Sequence, residues 1–149
     1  MPPASADGFA DLRFLLYHKH PTSARTRFLR FAGGTVLAPY PLPFLSSPLE
    51  PEDIEPAAAM MHPATLARRL AGGLQIPAAL LEIDAEFMEH VEIPGSTVTV
   101  HLVRFTSIDP PLQLFADRGA AFCPITDLRG GHPTEMALLR KAYEHVLGG

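Results

Sequence analysis

Apolar and polar positions alternate most clearly between Glu86 and Phe105. The arms Glu86 to Ile93 and Val98 to Phe105 flank Pro94-Gly95-Ser96-Thr97, a pattern that predicts a β-hairpin. Val91, Ile93, Val98, Val100 and Leu102 share an apolar face, and His90, Glu92, Thr99 and His101 share the opposite one. A four-residue loop sets His90 directly across from His101. A two-residue loop shifts the partners but keeps both faces.

Helical spacing is plainest at the C-terminal end. His132 or Thr134 caps a helix over 133–147, Pro133 sits in its first turn, and Glu135 favours its positive end. Met136, Leu139, Tyr143, Val146 and Leu147 make its apolar stripe, with Arg140, Lys141 and His145 toward the negative end. A second helix is expected over 63–71, opened by Pro63, closed by Gly72-Gly73, and carrying Leu66 and Leu70 on one side. Gln75 to Glu82, with Pro77 inside, reads as a short helix or an extended lead-in to the hairpin. After the hairpin, Asp109-Pro110-Pro111 starts a helical segment that runs to Asp117 and ends at Gly119. Phe122 to Ile125 reads as a short strand.

Residues 9–32 fit two descriptions. Phe9, Leu12, Leu15, Leu16 and Lys19 follow helical spacing, yet Phe14 to His20 suits a strand equally well. Pro21-Thr22-Ser23 breaks either element. Arg25 to Phe31 then pairs back as a strand, or forms a helix capped by Thr22 or Ser23 and ended by Gly33-Gly34. Partial alternation of Arg27, Leu29 and Phe31 with Phe28 and Arg30 favours strands, as does the β-like Thr35-Val36-Leu37. From Pro39 to Pro56 the prolines are too dense for a helix or a central strand. Tyr40, Leu42, Phe44 and Leu45 between them argue for an extended segment packed on the surface, with a boundary between two small lobes as the alternative.

The expected fold is α+β: a small antiparallel sheet that includes the hairpin 86–105, packed against a few helices, with the C-terminal helix 133–147. One domain over 1–149 is expected, with the irregular proline-rich segment 39–56. A chain of 149 residues is long enough to bury a core without a staple. Its one cysteine, Cys123, excludes an internal disulfide and points to a reducing cytoplasm. The opening residues lack the basic and apolar regions of a secretory leader, and no apolar run approaches a membrane span. Richness in Ala, Leu, Pro and Arg suggests a bacterial source. Charge is uneven: residues 1–44 carry five basic side chains against two acidic ones, and residues 45–101 carry nine acidic against two basic. The basic third is too small for a nucleic-acid footprint, so neither nucleic acid nor membrane is an expected partner.

Candidate chemistry begins with the hairpin. His90 and His101, with Glu92 beside them, are of the types that bind a divalent transition metal, and an open position there would make a hydrolytic centre. His18 and His20 stand two apart, and on a strand both would point to one face. Cys123 with His132 as base and Asp127 as its orienting group is a candidate for thiol chemistry, although Phe122 and Ile125 around the cysteine suggest a core position. Arg129-Gly130-Gly131-His132-Pro133-Thr134 leads into the last helix, where free N–H groups favour an anion. Glu82, Asp84, Glu86, Glu89 and Glu92 form an acidic run suited to solvated strand faces. No motif carries a family resemblance. The expectation is a non-enzymatic binding or accessory protein, homo-oligomeric or engaging a protein partner through Tyr40 to Leu45. The alternative is a metal-dependent hydrolase built on His90, His101 and Glu92.

Overall fold

The computed structural model describes residues 9, 11–50, 52 and 61–148. Seven strands form one curled sheet: β1 (Leu12–Lys19), β2 (Thr26–Arg30), β3 (Leu37–Ala38), β4 (Ser47–Pro48), β5 (Leu81–Ile93), β6 (Ser96–Phe105) and β7 (Ala121–Cys123). The helices are α1 (Pro63–Leu74), α2 (Leu112–Ala116) and α3 (Pro133–Gly148). The order across the sheet is β4-β5-β6-β1-β2-β7, and β3 also pairs with β1. The class is α+β, but the small antiparallel sheet expected from the sequence is wrong. The sheet is larger and mixed, because β1 runs parallel to β6, from Leu12 beside Thr99 to Tyr17 beside Arg104.

Strand β1 explains why residues 9–20 fit two descriptions. All six residues from Arg13 to His18 are buried. Leu15 and Tyr17 belong to one core, and Phe14 and Leu16 to the other. A strand covered on both faces has no reason to alternate, so its apolar run mimics a helix segment. One edge of β1 pairs with β6. The other is shared by β3, which takes Phe14 and Leu15, and β2, which takes Tyr17 to Lys19.

Each sheet face has its own helical cover. Val98, Val100 and Leu102 of β6 and Phe28 of β2 pack with Leu138, Leu139, Ala142 and Val146 of α3. Val103, Phe105 and Leu29 pack on the opposite face with Leu66 and Leu70 of α1 and Phe115 of α2. The buried stripe of α3 is rotated from the expected one: Leu138 and Ala142 are buried, whereas Leu147 is exposed. Helix α1 extends beyond the predicted end, with Gly72 and Gly73 inside it, and closes at Gln75 in the left-handed conformation. Gly73 is there for close packing: a Cβ would stand 3.1 Å from the Phe9 ring.

The hairpin forms with the two-residue loop Pro94-Gly95, and Gly95 has φ +79°. Strand β5 begins at Leu81, earlier than expected, because an irregularity interrupts it between Asp84 and Met88. Leu81 and Ile83 face α1, while Phe87 and Val91 face α3. A bulge thus reverses the alternation, which hid the first part of the strand. Between Pro39 and Glu50 the chain is extended with Leu42 buried, and its only regular element is β4. Residues 51 and 53–56 of the proline-rich segment lie outside the described residues.

Leu102 is fully buried between β1 and α3. Leu102→Ala is expected to lower unfolding free energy by about 2–5 kcal/mol, since the cavity adds to the lost transfer energy. Urea denaturation followed by circular dichroism measures it.

Candidate anion pocket at the β1–β2 turn

The β1–β2 hairpin places four nitrogen-bearing side chains on one sheet face. His18 pairs with Arg27, and the His20 N–H donates to the Arg25 carbonyl at 3.0 Å. Directly paired residues share a face, and residues two apart on a strand share it too. His18, His20, Arg25 and Arg27 therefore project together. The turn between them is tight, with Ala24 at φ +60°, a conformation few non-glycine residues adopt.

Hydrogen bonding assigns the His20 proton. Its Nδ1 accepts from the backbone N–H groups of Thr22 (3.2 Å) and Ser23 (3.3 Å), so Nε2 carries hydrogen and points at Asp109 Oδ1, 3.4 Å away. His18 is almost wholly enclosed, at 1% exposure, with Nε2 at 2.9 Å from the Ser107 carbonyl oxygen. A carbonyl only accepts, so this nitrogen is the donor. The two imidazole centroids are 6.4 Å apart. Ser107 Oγ donates to the Asp109 carbonyl (2.7 Å) and shapes the loop that supplies Asp109. The resulting cavity, about 360 Å³, is lined by His18, His20, Ser23, Arg25, Arg27 and Asp109, with Leu112 at its apolar side. Its free donors are the Arg25 and Arg27 guanidinium groups and the Ser23 hydroxyl, and Asp109 is its carboxylate. Arginine keeps its charge and presents a planar fork that matches carboxylate and phosphate oxygens.

The hairpin histidines lie on the same sheet face but do not oppose one another. His90 stands across from Thr99, and His101 across from Met88. The direct His90–His101 pairing required a four-residue loop, and the two-residue loop makes them diagonal neighbours instead. His101 stacks on Phe14 with centroids 5.8 Å apart. Burial, and secondarily the proximity of His90, holds the His101 pKa below the usual histidine value. Glu92 is across from Thr97 and exposed. Among the described residues, no group of three or more His, Cys, Asp or Glu side chains is placed to hold a metal ion.

Cys123, His132 and Asp127 are separately occupied. Cys123 is buried in β7 against Phe28, in the core under α3. His132 Nδ1 accepts from the Thr134 N–H (3.1 Å), which leaves Nε2 to donate to the Phe44 carbonyl (3.1 Å). That arrangement leaves His132 no nitrogen for a thiol. Asp127 is exposed in a 3-10 turn.

The Arg129 to Thr134 loop borders a second cavity, also about 360 Å³, together with Arg30 and Gly33-Gly34. Its floor includes Glu135, 3% exposed. The Glu135 carboxylate accepts from Thr35 Oγ (2.8 and 3.0 Å) and from the Val36 N–H (3.2 Å). A buried carboxylate opposes the anion that the helix start would attract. Glu135 instead ties α3 to the segment before β3. The sequence named the histidines of the β1–β2 pocket but not Arg25 and Arg27. Their signal was the basic first third of the chain, which needed the hairpin register to acquire a location.

No family model matches this chain, and no curated protein matches it.

His101 sets a pH dependence. The unfolded chain protonates this histidine near 6.5, whereas the folded protein keeps it neutral to lower pH. The folded state thus binds fewer protons below that value. The contribution of His101 is complete above it and is lost as pH falls toward the folded pKa. His101→Gln is therefore expected to lose less stability than wild type between pH 7.5 and pH 5, measured by urea denaturation at each pH.

Proposed function

We propose that this chain is a binding protein for a small organic anion, a carboxylate or phosphate ester, held by Arg25, Arg27 and Ser23. The observation that carries this reading is the convergence of His18, His20, Arg25 and Arg27 on one face around a cavity of about 360 Å³. Arg25 and Arg27 would take the anionic oxygens in charge-assisted hydrogen bonds. Leu112 in the lining and the exposed Ile108 nearby in sequence favour a ligand that also has an apolar part. A binding role suits the pocket better than catalysis. His20 has both ring nitrogens engaged, and Ser23 Oγ already accepts from the Arg25 N–H at 3.3 Å. Neither is poised as a base or a nucleophile. The buried free thiol of Cys123 fits a cytoplasmic setting.

Isothermal titration with phenyl phosphate, benzoate and inorganic phosphate tests the reading. An aryl anion is expected to bind more tightly than inorganic phosphate. Arg27→Gln should weaken it by about tenfold or more, since one charge-assisted hydrogen bond contributes about 1.5–3 kcal/mol. Equal heats for wild type and an Arg25→Gln/Arg27→Gln double variant would overturn it.

A second reading, contact with another copy of the chain, is favoured by Phe44 and Leu45, which are 88% and 69% exposed. They border a groove with Ile93, Pro94 and Gly95 at the hairpin turn. Sedimentation velocity is expected to show a dimer that Phe44→Ser/Leu45→Ser dissociates, and a wild-type monomer at every concentration would remove this reading. No helix among the described residues is long and apolar enough to cross a membrane.

A further inference from the structure

The hairpin register assembles a ligand set that its histidines alone do not suggest. Met88 stands directly across from His101, and His90 lies two residues beyond Met88 on the same strand. All three therefore share the face that carries Phe14 and α1. Directly opposed Cβ atoms are about 4.5–5.5 Å apart, and diagonal ones are within about 7–8 Å, so the three side chains can converge on one small ion.

A further observation points to a ligand. His90 Nδ1 is buried and has no hydrogen-bond partner among the described residues. Buried ring nitrogens are ordinarily satisfied, and an orphan calls for a partner of its own.

The chemistry of the set selects the ion. A hard or borderline divalent ion would need a third nitrogen or oxygen donor, and Glu92 is exposed and across from Thr97. Among the described residues no third His, Cys, Asp or Glu completes such a group. The third donor available is the Met88 thioether, which is soft and favours Cu(I). We infer that Met88, His90 and His101 form a binding site for one Cu(I) ion. Coordination would use the unpartnered His90 nitrogen, and the stack on Phe14 would hold the His101 ring in position. This site is independent of the anion pocket. Phe14, beside His101, is four residues from His18, about 13 Å along β1.

Anaerobic titration of Cu(I) against bicinchoninate tests the site. A Cys123→Ala background removes the free thiol, which binds the same ion. One equivalent per chain is expected. Met88→Leu, a volume-conserving change, and His90→Gln should each weaken binding at least tenfold while leaving the thermal midpoint near that of the parent. X-ray absorption should show a sulfur neighbour of copper that Met88→Leu removes. Unchanged Cu(I) affinity in Met88→Leu would overturn the inference, as would a copper shell without sulfur or an absence of binding. Zn(II) bound as tightly through the two histidines alone would also overturn it. Arg25→Gln/Arg27→Gln should retain full Cu(I) binding, so failure of the anion reading is seen separately.

Discussion

The architecture depends on β1 being enclosed on every side. Its two faces carry different cores, one beneath α3 and one beneath α1 and α2. Its two edges are also used, by β6 on one side and by β2 and β3 on the other. A strand in that position must satisfy all its backbone groups through neighbouring strands and must be apolar on both faces. Phe14, Leu15 and Leu16 meet that demand, all with no exposure. The parallel contact with β6 closes the fold, since it joins residues 12–17 to residues 99–104 and brings the hairpin under the first third of the chain.

The same strand organises the polar chemistry. Where β1 leaves the core, the face that carries Phe14 and Leu16 continues as His18 and, past the strand end, His20. Pairing with β2 adds the arginines beside the histidines. At the other end, Phe14 stacks on His101. Both clusters thus lie on one sheet face, separated by aromatic and aliphatic packing. The opposite face has polar contacts of its own, among them Glu135 with Thr35 and Val36, and His145 with Asp84 at 2.9 Å.

Local features were legible where local physics decides them. The hairpin, its apolar face and the C-terminal helix follow from periodicity and turn chemistry, and all three are present. The loop length was not fixed by Pro94-Gly95-Ser96-Thr97, because Gly95 suits either turn. One choice separates opposed histidines from diagonal ones. The bulge after Asp84 was hidden for a related reason: alternation reverses inside a single strand, and a window spanning the reversal looks irregular. Gly72-Gly73 resembled a helix end because glycine usually marks one, whereas here tight packing on Phe9 keeps Gly73 inside α1.

By itself the amino-acid sequence determined the α+β class, the two faces of the hairpin and the last helix. These depend on residue spacing within an element, where the strand and helix periods act directly. Only the tertiary structure decided that the sheet is mixed, that Arg25 and Arg27 join the histidines, and that Met88 faces His101. Each of these depends on register or on contacts distant in sequence. A one-residue change of register reverses every side chain, and a parallel pair between remote strands leaves no mark on local periodicity.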